Sequence, residues 1–412
     1  MARGTIKLLS ALLAVSAAAI GSAQAGGFSR GTADTDILFE EGNFNLRAGA
    51  TVVAPQRDYD TVTSPLLGGT VAGSDGRYID TYLISSGAVK MNITDDLRCA
   101  GTHTQSFGAG ATYGPQAILA GIIDGSGTVS EGFSSNEFGA TCGYKFDLSK
   151  GRAWMLGGVF AQDFNYEQVV QLAPGTLGLP AGSTATLSFE DSHRLGYRIG
   201  AAYEIPEIAL RAQIMYRSAI DHAPGNSSGD SFVVRLPNGI PVASFVTDGF
   251  GTLPQSIELK VQSGIAPGWL AFGSIKWTDW SVLDVLTYNI QAFPLGGNPR
   301  VLEYFWQDGW TVTGGVGHAF SENVSGLAGL TWDRGVSTTE DALTDSYTLF
   351  AGTSLKDKIG GELRLGGALT YLTSGSVAAE ANPLLDGQGN TFAYTVDGDW
   401  AVAFSASYGV KW

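Results

Sequence analysis

The sequence predicts an all-β protein, a transmembrane antiparallel β-barrel of about 14 strands with a short N-terminal plug segment. Three observations predict it. An apolar leader opens the chain, amphipathic segments of period two fill the rest, and tight connections alternate with long ones. Beyond the leader no apolar run reaches the roughly 20 residues that a membrane-spanning helix needs.

In the leader, Arg3 and Lys7 precede an apolar stretch from Leu8 to Ile20, and Ala23-Gln24-Ala25 supplies a small-x-small cleavage site. That order is a secretory signal peptide, so residues 1–25 are expected to be removed and Gly26 to begin the mature chain. Removal leaves 22 basic against 39 acidic residues, a net charge of −17. Such acidity argues against nucleic acid or anionic lipid as a partner. The absence of any composition break or linker points to one barrel, 42–412, behind a short hatch segment, 26–41.

The alternation is plain in several segments. Ile208, Leu210, Ala212, Ile214 and Tyr216 interleave with Ala209, Arg211, Gln213 and Met215. At the other end Trp400, Val402, Phe404, Ala406, Tyr408, Val410 and Trp412 interleave with Ala401, Ala403, Ser405, Ser407, Gly409 and Lys411. Successive side chains of a strand point to opposite faces, so each segment has one apolar and one polar or small face. A soluble sandwich shows the same period. The membrane is favoured because Tyr216, Trp269, Trp277, Trp280, Trp400 and Trp412 sit at segment ends, as interfacial girdles require. Tight turns at 92–96, 146–151, 204–207, 267–268, 321–323 and 356–358 also alternate with long connections such as 219–253. The expected strands are 42–54, 78–91, 97–112, 133–145, 152–164, 185–203, 208–218, 255–266, 269–285, 301–320, 324–334, 346–355, 359–373 and 392–412.

Signals of catalysis are missing. His103, His193, His222 and His318 share no ligand spacing, and there is no HExxH, CxxC or phosphate-cradling glycine loop. The expectation is no enzyme, no metal and no cofactor. Arg194, Arg198, Arg211, Lys260, Lys276 and Arg364 fall on the inferred lumen face. They either hold a ligand carboxylate or pair with lumen acids such as Glu258 and Glu362. Cys99 and Cys142 lie near the turn-side ends of adjacent strands, as a disulfide or as two lipid-facing thiols.

Several motifs in order carry a resemblance. Phe44-Asn45-Leu46-Arg47-Ala48-Gly49-Ala50 is followed by Pro55; Leu195-Gly196-Tyr197 and Tyr203-Glu204-Ile205 precede Tyr216-Arg217-Ser218; Leu253-Pro254-Gln255 leads to Trp277-Thr278-Asp279-Trp280. Asp308-Gly309-Trp310 and the closing Tyr408 to Trp412 complete the series. The chain resembles the FadL-type outer-membrane transporters of long-chain fatty acids or aromatic hydrocarbons. The resemblance implies a monomeric 14-stranded barrel, a lumen closed by an N-terminal hatch, and sideways release through a kinked third strand into the outer-membrane lipid. Ser106-Phe107-Gly108-Ala109-Gly110 stands where that kink belongs, with Phe107, Gly108 and Gly110 as the gate residues. The expected ligand is a long-chain fatty acid or another hydrophobic small molecule. On its path Arg300, with Arg194 and Arg198 deeper, is expected to meet a carboxylate, and Phe28 is the one apolar plug residue near the mature start. Asp34-Thr35-Asp36 replaces the family's Asn-Pro-Ala, and the segment before it is short. A looser hatch keeps a rival reading open, a porin-like channel for polar solutes.

Overall fold

The computed structural model describes residues 26–64, 69–72, 75–122, 126–222, 230–291, 300–378 and 393–412; the expected leader, 1–25, lies outside them. Fourteen strands among these residues form one closed antiparallel ring. They are β1 (Phe44–Pro55), β2 (Tyr82–Asn92), β3 (Leu97–Thr112), β4 (Ser126–Asp147), β5 (Arg152–Leu172), β6 (Thr184–Ile205) and β7 (Leu210–Arg217). The ring continues with β8 (Ser256–Ala266), β9 (Trp269–Thr278), β10 (Gly309–Ala319), β11 (Val324–Asp333), β12 (Ser346–Lys356), β13 (Gly361–Leu372) and β14 (Asp399–Lys411). β1 pairs with both β2 and β14, which closes the wall. Closure satisfies the backbone polar groups that hydrocarbon cannot.

The period-two reading explains which face goes where. On β14 Trp400, Val402, Phe404 and Tyr408 are exposed, whereas Ala401 and Ala403 are buried. On β7 Ile214 is exposed while Arg211 and Gln213 are buried. Apolar side chains therefore face outward and polar ones inward, the reverse of a soluble protein and the arrangement a lipid-embedded barrel requires.

The tight turns hold themselves. Thr94 Oγ1 accepts the backbone N–H groups of Asp96 and Leu97 between β2 and β3. Asp357 Oδ1 accepts those of Ile359 and Gly361 between β12 and β13. Gly268, at φ 77°, makes the two-residue turn between β8 and β9. At the opposite rim the connections carry structure of their own. Ser231–Arg235 and Pro241–Leu253 form a hairpin whose first strand extends the edge of β6. Helix α1 (Pro115–Ile122) starts at proline and is capped from a distance, since Asp75 accepts the N–H groups of Gln116 and Ala117.

Three expected strands need correction; the one expected at 392–412 is two elements, a loop strand Ala393–Val396 in a separate four-stranded sheet and β14 from Asp399. The strand expected at 269–285 ends at Thr278, where a 3-10 turn, Trp280–Val282, takes the chain inward. Trp280 is consequently fully buried and belongs to the interior, not to the outer girdle. The strand expected at 301–320 is two elements, a loop strand Arg300–Glu303 and β10 from Gly309. Alternation continues through both pieces, so periodicity alone misses the break.

The residues before β1 lie inside the ring. A 3-10 turn, Thr35–Phe39, buries Ile37, Leu38 and Phe39 against Trp154, Leu156, Ala88 and Ala100 of the wall. Phe28 is therefore not the only apolar plug residue. Cys99 and Cys142 are register partners on β3 and β4, bonded at Sγ–Sγ 2.06 Å.

Candidate functional site

Among the described residues the wall parts between β2 and β3. β2 and β3 pair from Asn92–Arg98 to Ser86–Thr104 and then part; contact resumes only ahead of β2, where Ile79 bridges Ala111 and Asp80 N–H donates to the Gly110 carbonyl over 2.9 Å. Beyond Thr104 β3 keeps its ladder to β4, with a register shift between Gln105 and Phe107. Tyr82 to Ser85 of β2 pair only with β1. The bend thus falls at Ser106, as an extra residue in the ladder, and a bulge of this kind redirects a strand. This corrects the glycine account of the kink. Gly108 and Gly110 keep ordinary negative-φ backbone, and what they supply is room. A Cβ at Gly108 would stand 3.1 Å from the Phe133 carbonyl oxygen and 3.4 Å from Arg30 Nε. At Gly110 it would stand 3.3 Å from the Asp80 carboxylate.

The exposed edge of β3 is answered from within by the hatch. Arg30 and Gly31 donate their N–H groups to the carbonyls of Ser106 and Gln105 over 3.0 and 2.8 Å, and Gly108 N–H donates to Phe28 over 2.9 Å. Arg30 Nε donates to the Gly108 carbonyl over 2.7 Å. Its guanidinium carbon lies 3.0 Å from the ring centre of Tyr82 on β2. Backbone groups left unpaired at membrane depth are costly. The hatch removes that cost at the unpaired stretch and spans the two edges at once.

The hatch also divides the lumen. On the loop side lies a cavity of about 470 Å³ walled by Phe28, Phe133, Phe164, Leu253, Trp280 and Leu286, with Ala109 and Gly110 of β3 at its border. Its polar lining consists of tyrosines, Thr128, Thr252 and four acids, Glu131, Glu303, Glu340 and Asp341, and contains no Lys, Arg or His among the described residues. Beyond the hatch lies a cavity of about 230 Å³ lined by Arg30, Asp36, Arg211, Glu258, Lys260 and Lys276 with many Ser and Thr. Phe28 packs at the floor of the first cavity, 4.5 Å from the Trp306 ring centre, 4.8 Å from Phe133 and 5.9 Å from Trp280.

The structure separates the predicted site residues. Asp34-Thr35-Asp36 tethers the hatch: Asp34 pairs with Arg47 on β1, Asp36 with Lys260 on β8 at 3.4 Å, and Thr35 is buried between them. Burial pushes the Asp36 carboxyl up, but Lys260 and Arg211 more than offset this and hold it below the usual carboxylate range. Arg198 does not face the large cavity. It is buried in an ion pair with Glu137, whose other oxygen takes Arg217 at 3.0 Å. Arg194 is held by Asp191 at 2.7 Å on an exposed part of β6. Arg198 is engaged because a buried charge is stable only when paired. Lys260–Glu258 at 3.6 Å and Arg364–Glu362 at 2.8 Å follow the same rule. The backbone of Arg300 pairs with Tyr288, and its side chain lies outside the described residues. Sequence reasoning missed Arg30, Glu131 and Asp341, which sit on three separate segments and share no spacing.

A scan of family models matches residues 37–408 to the outer membrane protein transport protein family (OMPP1/FadL/TodX). The chain belongs to that family. Like the FadL/TodX proteins it is an outer-membrane β-barrel, and the family comprises channels for hydrophobic compounds. Among solved structures it is similar to a Pseudomonas aeruginosa FadL homologue, at TM-score 0.68 and 14% identity over 96% of this chain and 100% of that one. It is similar to the P. putida toluene transporter TodX, at TM-score 0.61 and 14% identity over 92% of each chain. The Ralstonia pickettii toluene transporter TbuX follows, at TM-score 0.58 and 12% identity over 91% and 90%. No curated protein sequence matches significantly. At these identities the FadL/TodX likeness carries the fold, so the choice of ligand rests on this chain's own residues.

Proposed function

We propose that this FadL/TodX-family channel takes up a hydrophobic small molecule that does not carry a negative charge, and releases it sideways between β2 and β3. One observation carries the reading. The loop-side cavity has aromatic and aliphatic walls, acids but no base among its described lining residues, and Ala109 of β3 at its border, next to the stretch that β2 leaves unpaired. An apolar molecule moving from water into such a cavity gains about 25 cal/mol per Å² of surface removed from water. A carboxylate entering it would meet the buried acids Glu131 and Asp341, with no base among the described lining residues. The fatty acid expected from the resemblance therefore ranks behind an aromatic or other anion-free compound. The side route fits the architecture, because the hatch with Ile37, Leu38 and Phe39 lies across the straight path. That same obstruction speaks against the porin reading. Catalysis is not part of the proposal.

The test is uptake by cells lacking competing transporters, with radiolabelled toluene and oleate compared at matched expression. The reading expects toluene uptake well above the empty-vector level and a weaker response to oleate. Oleate uptake exceeding toluene uptake would reverse the assignment. A large steady conductance of the purified protein in planar bilayers would restore the porin.

A further inference from the structure

We propose that the loop-side cavity is a binding site for a hydrophobic monocation, an amine carried on an aromatic or alkyl body, received by tyrosine faces and by the carboxylates of Glu131 and Asp341. The proposal rests on reading this cavity as the receiving compartment of the channel and narrows the compound it takes.

The rings come first. Tyr59 and Tyr78 stack at 4.3 Å and 7°, Tyr394 meets Tyr59 edge-on at 4.8 Å, and Tyr113 lies nearly parallel at 6.1 Å from Tyr78. All four line the cavity. Aromatic faces attract a cation through the ring quadrupole, and more strongly once water is excluded. The polar atoms come next. Glu131 is engaged by the Tyr113 hydroxyl, and Asp341 Oδ2 accepts Trp306 Nε1 over 2.8 Å. Asp341 Oδ1 is buried with no partner, and so is the hydroxyl of Tyr166, a cavity-lining residue only 7% exposed. An unsatisfied carboxylate oxygen and an unsatisfied phenol in one apolar chamber suit a ligand with an N–H group to donate.

Arg57, which neighbours the ring cluster, does not fill this role. Arg57 touches Tyr78 from behind the wall, but its guanidinium is spent on the carbonyls of Thr373, Asp397 and Ala342 and on the Thr344 hydroxyl. A hard divalent ion also fits poorly, because it asks for six or more oxygens and the walls here are largely aromatic. A buried carboxylate without a cation takes up a proton instead. Burial pushes Asp341 up to about 7, with Glu131 and Glu340 adding to the shift. Tyr304, Tyr78 and Tyr394 face the same group, and all three are neutral in this range. Asp341 is thus half-neutral near neutrality, and an ammonium group would take the place of its proton.

The experiment measures binding to the full-length purified protein by equilibrium dialysis, using 2-naphthylmethylamine, 2-naphthylmethanol and 2-naphthoate. At pH 8 the amine should bind about tenfold more tightly than the alcohol, as a desolvated cation–aromatic site allows, and the naphthoate least. At pH 6, with Asp341 protonated, the preference for amine over alcohol should shrink severalfold. Asp341→Asn and Glu131→Gln should each remove most of the preference for amine over alcohol, with heat-modifiable gel mobility confirming the folded barrel. Equal binding of amine and alcohol by the unaltered protein overturns the cation site alone. So does an amine preference that neither pH nor the two variants move. Failure of all three probes to bind would bring down the reading of the cavity as a receiving compartment as well.

Discussion

Arg30 Nε donates to the carbonyl oxygen of Gly108 over 2.7 Å while its guanidinium lies against the ring of Tyr82. The first partner is on β3 and the second on β2, so one hatch side chain ties both edges of the stretch where these two strands part. A charged hydrogen bond contributes about 1.5–3 kcal/mol and a cation–aromatic contact about 0.5–2 kcal/mol. Together these are enough to decide whether the stretch stays covered.

Arg30→Ala should uncover it. Losing about 2 kcal/mol of tether shifts a two-state closure by roughly 30-fold. Hydrophobic uptake should rise, and liposomes containing the variant should leak small solutes faster. Unchanged uptake and leak would mean that the backbone bonds of Arg30, Gly31 and Gly108 hold the hatch without this side chain.

Gly108→Val should act the other way. The new side chain enters the space between the Phe133 carbonyl and the Arg30 guanidinium and narrows the gap. Uptake should fall sharply while heat-modifiable gel mobility shows a folded barrel, the Phe133 carbonyl on β4 giving by a few tenths of an ångström to admit the Cβ. A folded variant with full uptake would remove sideways release at this stretch.

Arg198 gives a prediction about stability, not ligand charge. Replacing it by Met leaves Glu137 with Arg217 alone inside the barrel, and breaking such a buried group costs about 3–5 kcal/mol. Urea titration followed by cold gel mobility should show an earlier midpoint. The ratio of oleate to toluene uptake by the folded protein should not change. A selective loss of oleate uptake would return Arg198 to the ligand path.

The bonded pair Cys99–Cys142 closes a separation of 43 residues, for which loop closure contributes up to about 4 kcal/mol. The double serine variant should still fold, because the β3–β4 ladder already sets the register, but should unfold at lower urea. Equal midpoints with and without reductant would show that the ladder alone carries this corner.

Topology is checked by tags. A tag after Asn238, at the exposed tip of the hairpin Ser231–Arg235/Pro241–Leu253, should be reached by antibody on intact cells. A tag at Lys358, in a tight turn on the opposite rim, should not. Labelling at Lys358 would invert the orientation.

The sequence by itself determined the barrel. Period-two alternation is a local property of each strand, so Ile214 outward and Arg211 inward could be read from neighbours alone, as could the tight turns at Thr94, Gly268 and Asp357. Membership of the FadL/TodX group was legible for the same reason, through short motifs in a fixed order. Tertiary structure decided everything that depends on what meets across the lumen. Arg30 reaches Gly108 over 78 positions, and Arg57 reaches Ala342 over 285. Trp280 looked like a girdle residue until the 3-10 turn after Thr278 carried it inside. Gly108 looked like the bend, although the bulge sits at Ser106, because a one-residue slip in a ladder leaves no mark on either strand's composition. The tyrosines and acids of the large cavity come from loops and strand ends far apart in sequence. Only closing the ring brings them into one chamber, where exclusion of water gives their charges the effect that no spacing rule predicts.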